Sequence, residues 1–197
     1  MPPLNERRRG ELADAAIALL AESGVHGVTH RAVERQASLP AGTASNYFRS
    51  REALLVAAAE RVGQLHHADM EAIADGHRTT KRRHTRTSAT ELIAESLLLA
   101  ATTHRSRYLA IFELQLESLR RPALTDALTS LHRSTLAFTI GHHAAHGLDI
   151  PPEAVPTLMA LYGGALFTLV SSPPGTATWA VTHDLALAIV RGGLGGP

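Results

Sequence analysis

The sequence predicts an all-α fold: an N-terminal three-helix unit of helix-turn-helix type, then a longer run of antiparallel helices, about nine helices in total. Three observations predict it. Hydrophobic residues make up 45% of the 197 and aromatics only 4%, so the core must be mainly Leu, Ala, Val and Ile, which favours helices. Apolar residues recur at helical spacing, with Gly and Pro at clear breaks. Finally, residues 28–55, VTHRAVERQASLPAGTASNYFRSREALL, read as two short helices around a tight turn that lead directly into a third.

The first helix is expected over residues 5–23, where Leu12, Ala15, Ala16, Leu19 and Leu20 share a face and Ser23-Gly24 supplies a stop. Arg7, Arg8 and Arg9 sit at its start, where positive charge opposes the helix dipole. They are either an arm that touches DNA phosphates or a solvated terminal charge run. In the second helix, about 29–37, Thr29 can act as N-cap and Ala32, Val33, Gln36 and Ala37 form an apolar stripe. Leu39, Pro40, Ala41 and Gly42 break the pattern. The third helix, about 41–48, is barely two turns and too short to stand alone. It persists only if packed, with its other face left for a partner, which is how a helix is presented to a DNA groove. The fourth helix runs from about Ser50 to Asp75.

The basic stretch DGHRTTKRRHTRTSAT follows, with Arg78, Lys81, Arg82, Arg83 and Arg86 and no acid between 76 and 90. Such a block reads as a mobile loop or as a second electrostatic contact with DNA. Further helices are expected over about 89–103, 105–120, 122–146, from Pro151-Pro152 to Ser171, and over 176–192, with Pro122, Gly147 and SSPPG (171–175) as punctuation. There is no internal repeat.

The 28–55 stretch resembles the DNA-binding domain of the TetR family of bacterial regulators (TetR/AcrR-like). The family pattern is an apolar residue then Thr, a turn, Gly-Thr, an aromatic pair and a Ser-Lys/Arg-Glu-x-Leu run. Val28-Thr29, Gly42-Thr43, Tyr47-Phe48 and Ser50-Arg51-Glu52-Ala53-Leu54 meet it. RYLAIFELQLESLRRPAL (107–124) also resembles the sixth helix of the family's ligand domain. The chain departs from the pattern at three places. Ser38 replaces the usual turn glycine and is expected to carry strain at a positive φ. Pro40 replaces the capping serine but can pre-set φ at a helix start. Ser45 replaces the aromatic of the reading helix.

The resemblance implies a DNA-binding domain over 1–50 and a ligand-binding and dimerisation domain over 51–197. It implies a repressor that binds a palindromic operator as a homodimer and is released by a small-molecule effector. The expected DNA-binding residues are Thr29, His30, Arg31, Gly42, Thr43, Ser45, Asn46, Tyr47 and Arg51. Asn46 can pair bidentately with adenine, and Arg51 is expected to clamp a phosphate at the start of the fourth helix. Phe48 is expected to plug the core beneath. An effector cavity is expected to be lined by Met70, Tyr108, Phe112, Glu113 and Leu116, with Glu113 orienting a donor or cation if buried. The helices over about 151–171 and 176–192 are apolar nearly all round, and are either a monomer core or, as in the family, a dimer interface. Gly163, Gly164 and Ala165 would permit close helix approach there.

Charge and composition exclude other classes. The net charge is +1, with a mildly basic head and a mildly acidic remainder, which suits a small phosphate-contacting module. The absence of cysteine removes disulfides, thiolate catalysis and cysteine metal sites. No run approaches the length needed to cross a bilayer, and MPPLNERRRG lacks the apolar stretch of a signal peptide, so a cytoplasmic protein without a membrane partner is expected. With no phosphate loop, nucleophile elbow or dinucleotide fingerprint, neither an enzyme nor a cofactor is expected. The alternative is a metal-responsive regulator. His142, His143 and His146 form an HHxxH run, in which His142 and His146 share a face and could chelate Zn or Ni. Histidines there also complement the helix dipole, and no metal site is assigned.

Overall fold

The computed structural model describes residues 4–80 and 89–194. Among them are nine α-helices: α1 (Leu4–Gly27), α2 (His30–Gln36), α3 (Thr43–Tyr47), α4 (Arg51–Thr80), α5 (Ala89–Ala101), α6 (Arg105–Ser118), α7 (Pro122–Ala145), α8 (Val155–Ser171) and α9 (Trp179–Leu194), with a 3-10 turn over Pro152–Ala154. The expected breaks fall where Gly and Pro stand, whereas α4 runs five residues past its expected end. The basic segment 81–88, read above as a loop or DNA contact, lies outside the described residues. The chain forms two compact units, Met1–Gln64 with Ser106–His132 and Leu65–Arg105 with Arg133–Pro197, so α4 contributes to both.

The first unit is built on α1. Leu12, Ala13, Ala16, Ile17 and Leu20 are buried along one face, together with Leu54, Leu55 and Ala58 of α4. The regular helix ends at Gly24, whose φ of 65° suits glycine, and a Cβ there would come within 2.9 Å of Glu113 Oε1. Glu113 Oε1 in turn accepts a hydrogen bond from Val25 N at 3.2 Å. Arg61 of α4 grips Asp14 of α1 through two hydrogen bonds of 2.8 and 3.0 Å, and that contact raises the guanidinium further above its ordinary range.

In the second unit α5, α8 and α9 pack on one another. Ala94, Leu97, Leu158, Leu169, Val170, Ala186 and Ile189 make up much of the buried core. The closest approach is at Gly193, where a Cβ would lie 2.3 Å from Leu158 Cδ2. Gly163 and Gly164, expected to serve close packing, meet nothing within 4 Å of an added Cβ and so do not serve it among the described residues. A further correction concerns length: Pro152–Ser171 is a 20-residue stretch of mean hydropathy 1.5, long and apolar enough by those measures to cross a membrane. It escapes a residue-by-residue reading because the 3-10 turn runs directly into α8. Core helices pass the same test.

Candidate functional site

Two sites emerge, one in each unit. The first is α3 and its supports. Thr29 caps α2, its Oγ1 accepting from Ala32 N at 3.1 Å. α2 ends with Ser38 at φ 54°, the sole positive φ among the described non-glycine residues. Ser38 N donates to Arg35 O at 3.1 Å and Leu39 N to Glu34 O at 2.8 Å, the paired bonds of a Schellman ending with serine in the position glycine usually holds. The expected strain is therefore located there.

α3 starts from Gly42 at φ 85°, which offers no side-chain cap. The missing acceptor comes from α2: Glu34, only 4% exposed, accepts from Ala44 N at 2.8 Å. A buried carboxylate thus satisfies a free N–H at the start of a five-residue helix. Sequence reading missed this role; the signal was a helix start whose cap position is glycine. Thr43 Oγ1 donates to Pro40 O at 2.6 Å, so its hydroxyl helps hold the turn.

Ala44 and Phe48 on α3's inner side are buried, while Gly42, Ser45 and Asn46 are exposed and Tyr47 is half-buried. The guanidinium of Arg9 lies over the Phe48 ring, 4.8 Å from its centroid. Arg7 and Arg8 pair with Glu11 at 3.3 and 3.7 Å. His30 is tied to the end of α3, with Nε2 2.7 Å from Phe48 O. Arg51 donates from Nε to Val28 O at 2.8 Å and from Nη2 to Val25 O, so much of its guanidinium holds the α1–α2 turn. Ser50 Oγ caps α4 by accepting from Ala53 N at 3.1 Å. Arg31, Arg35 and Arg49 are exposed around this surface.

The second site is a cavity of about 140 Å³ within the second unit. Its apolar wall comes from Met70 and Ile73 of α4, Leu92 and Ile93 of α5, and Leu158 and Met159 of α8. Of the five residues expected to line such a cavity, only Met70 does so. Tyr108, Phe112, Glu113 and Leu116 belong to α6 in the first unit, where Tyr108 is buried, Leu116 is 58% exposed and Glu113 meets Val25.

The cavity's polar groups are His66, Thr135, Thr139, His142, His143 and the Ser96–Tyr162 pair, whose hydroxyls are 2.8 Å apart. Burial pushes the Tyr162 phenol up to about 12, so it remains a neutral donor. Burial, and then the neighbouring His142, push His143 down to about 4, which leaves its imidazole neutral at pH 7. His143 Nδ1 is buried with no hydrogen-bond partner among the described residues. Among the described residues, no Asp, Glu, Lys or Arg lines this cavity. Beside it, His142 Nδ1 lies 3.4 Å from Glu71 Oε1, and His146 Nε2 lies 3.7 Å from Glu71 Oε2. His143 is not part of that trio.

Comparison with known proteins agrees with this architecture. Residues 12–58 match the family described as bacterial regulatory proteins, tetR family. Residues 84–196, more than half of the chain, match the tetracyclin repressor-like C-terminal domain. No curated protein matches the chain. Among solved structures, GusR from Salmonella enterica is 21% identical with a TM-score of 0.65, the match covering 99% of this chain and 98% of that one. A putative TetR-family transcriptional regulator from Mesorhizobium loti MAFF303099 is 16% identical with a TM-score of 0.70, covering 98% of each chain. The multidrug binding protein EbrR, in complex with ethidium, is 21% identical with a TM-score of 0.65, covering 96% of this chain and 99% of that one. At these identities the structural likeness concerns the fold alone. The two family matches go further: this chain belongs to the tetR family of bacterial regulatory proteins.

Proposed function

We propose that the protein is a cytoplasmic transcriptional repressor that binds a palindromic operator as a homodimer and is released by a small-molecule effector. Residues 1–50 form the DNA-binding domain, and residues 51–197 the ligand-binding and dimerisation domain. The observation that carries this reading is α3, which buries Ala44 and Phe48 while turning Ser45 and Asn46 outward from a helix pinned by Glu34 and His30. Asn46 reads a base, Ser45, Thr43 and Tyr47 contact base edges or phosphate, and exposed Thr29 and Arg31 meet the backbone. Gly42 permits the turn into α3. His30 and Arg51 act mainly by holding this surface in place.

Dimerisation through α8 and α9 is supported by what those helices leave uncovered. Leu161, Phe167 and Trp179 are exposed, the last two at 49% each, and open space faces Gly163 and Gly164. A two-fold dimer presents two α3 helices to half-sites about 34 Å apart, one DNA turn.

The effector enters the cavity of the second unit. At about 140 Å³ in this conformation the space suits a compact molecule of roughly benzene size. Because the described lining holds no Asp, Glu, Lys or Arg, a neutral ligand is favoured, with a polar group that meets His143 or the Ser96–Tyr162 pair. Ethidium, which EbrR holds, is a larger cation, so this chain's effector is expected to differ. Release requires that ligand and DNA prefer different conformations, and the coupling is reciprocal.

The test is salt-dependent binding of the full chain to fragmented genomic DNA, with sequencing of what is retained. One palindromic site, lost steeply as salt rises, supports the repressor; equal retention of all fragments, or of none, refutes it. Asn46→Ala is expected to remove about 1–3 kcal/mol of discrimination at one base pair per half-site while leaving nonspecific binding intact.

A further inference from the structure

We propose that Glu71 of α4 and His142 and His146 of α7 form a binding site for a divalent transition metal of the zinc class, with water completing the coordination. Residues that chain order separates converge here: one donor atom from each lies within 4.8 Å of the other two. Spacing alone pointed to the HHxxH run, but the fold replaces His143 with a carboxylate from another helix. The resulting set, two imidazoles and one carboxylate, is one that zinc accepts with its fourth position open.

The distances are compatible with shared ligation of one ion. The separations of 3.4 and 3.7 Å are long for hydrogen bonds, which cluster at about 2.7–3.2 Å. They lie close to the ligand–ligand edge of a tetrahedral zinc site, about 3.3–3.5 Å for bonds of about 2.0–2.1 Å. Each carboxylate oxygen faces a different imidazole nitrogen, so Glu71 bridges the two rings and brings all three donors together. The imidazole side chains of His142 and His146 are 5% and 7% exposed, whereas Glu71 is 50% exposed and free to rotate through the last fraction of an ångström.

The site is also preorganised. His67 stacks on Phe138 at 4.0 Å and 11° between planes, and Phe138 stacks on His142 at 5.7 Å and 20°. The ring of His146 is 4.3 Å from that of His142. This column fixes the His142 ring with Nδ1 toward Glu71. His142 also lines the cavity, so a bound ion would join α4 to α7 at the wall of the proposed effector site.

The test uses the untagged full-length protein, stripped with a chelator, titrated with Co²⁺ and followed by its visible absorption, then with Zn²⁺ by calorimetry and competition. One equivalent of Zn²⁺ per chain is expected, displacing cobalt from a site with tetrahedral absorption. Glu71→Gln and His146→Gln should each weaken binding at least about tenfold, since each removes a direct ligand. His132→Gln, an exposed histidine on the same helix, should not. Glu71→Gln replaces a half-exposed group by a near-isostere, so circular dichroism should show an unchanged fold. Absence of a stoichiometric equivalent, or one that survives both ligand variants, overturns the proposal, because other histidines would then hold the metal. None of these readouts involves DNA, so they stand whether or not an operator is found.

Discussion

In the first unit, polar side chains end on backbone groups: Glu34 on Ala44 N, His30 on Phe48 O, Arg51 on Val28 O and Val25 O, Thr29 on Ala32 N. In the second, His143 Nδ1 is buried with no hydrogen-bond partner among the described residues, and Tyr162 shares a hydrogen bond with the Ser96 hydroxyl in the cavity wall. The first arrangement spends its hydrogen bonds on holding a five-residue helix still. The second leaves capacity unspent, and a buried unsatisfied polar atom marks a place where something else can bind. One region closes its polar groups on its own backbone, and the other keeps them at the wall of the proposed effector cavity. Substitutions of these hydrogen-bonding groups should therefore act with opposite signs in the two.

The largest effect is expected at Glu34. Glu34→Ala leaves Ala44 N without its acceptor at the start of a helix with no other side-chain cap. The cost should be about 2–3 kcal/mol in urea denaturation, with specific DNA binding lost as α3 frays. Unchanged stability would mean that α3 does not depend on α2 for its cap.

Arg51→Ala comes next and divides two roles. If the guanidinium mainly ties the α1–α2 turn, stability should fall by about 2 kcal/mol, as for hydrogen bonds from a charged group. If it instead contacts phosphate, stability should hold while the salt dependence of DNA binding flattens by about one unit of slope. Denaturation and salt titration on one variant decide between them, and the observed bonds favour the first result.

What the sequence disclosed follows the same division. The reading head was legible because its determinants are local: Thr29 as cap, the Gly24 and Gly42 breaks, and the strain at Ser38 all depend on neighbours within a few residues. Glu34's capping of α3 and Arg51's bonds to Val28 O and Val25 O were not legible, because their partners come from across a turn or from another helix. The cavity was barely legible. Its walls come from α4, α5, α7 and α8, and helical spacing cannot say which face of each turns inward. Glu113 was expected in that wall because the family resemblance implies a ligand cavity along α6, yet it meets the end of α1. The histidine run was visible, but its carboxylate partner, Glu71, lies 71 residues from His142.

His143→Leu tests the comparison from the other side. Replacing a half-buried imidazole whose buried Nδ1 has no partner among the described residues by an apolar side chain of similar size should leave stability unchanged or raise it by about 1 kcal/mol. Effector response should weaken in the same variant if the imidazole meets the ligand. Destabilisation comparable to that of Glu34→Ala would remove the contrast between the units.

The smallest effect is expected at Ser38, where the head itself carries strain. A non-glycine residue in the left-handed region costs roughly 1–2 kcal/mol, and glycine gives back about 0.5–1 of that through its greater freedom in the unfolded chain. Ser38→Gly should therefore stabilise the protein by about 0.5 kcal/mol, seen as a small upward shift of the denaturation midpoint with unchanged slope. Operator affinity should stay the same, because the paired bonds to Arg35 O and Glu34 O use backbone N–H groups that glycine retains. A loss of affinity would show that the serine side chain serves DNA binding directly and that the strain is kept for function.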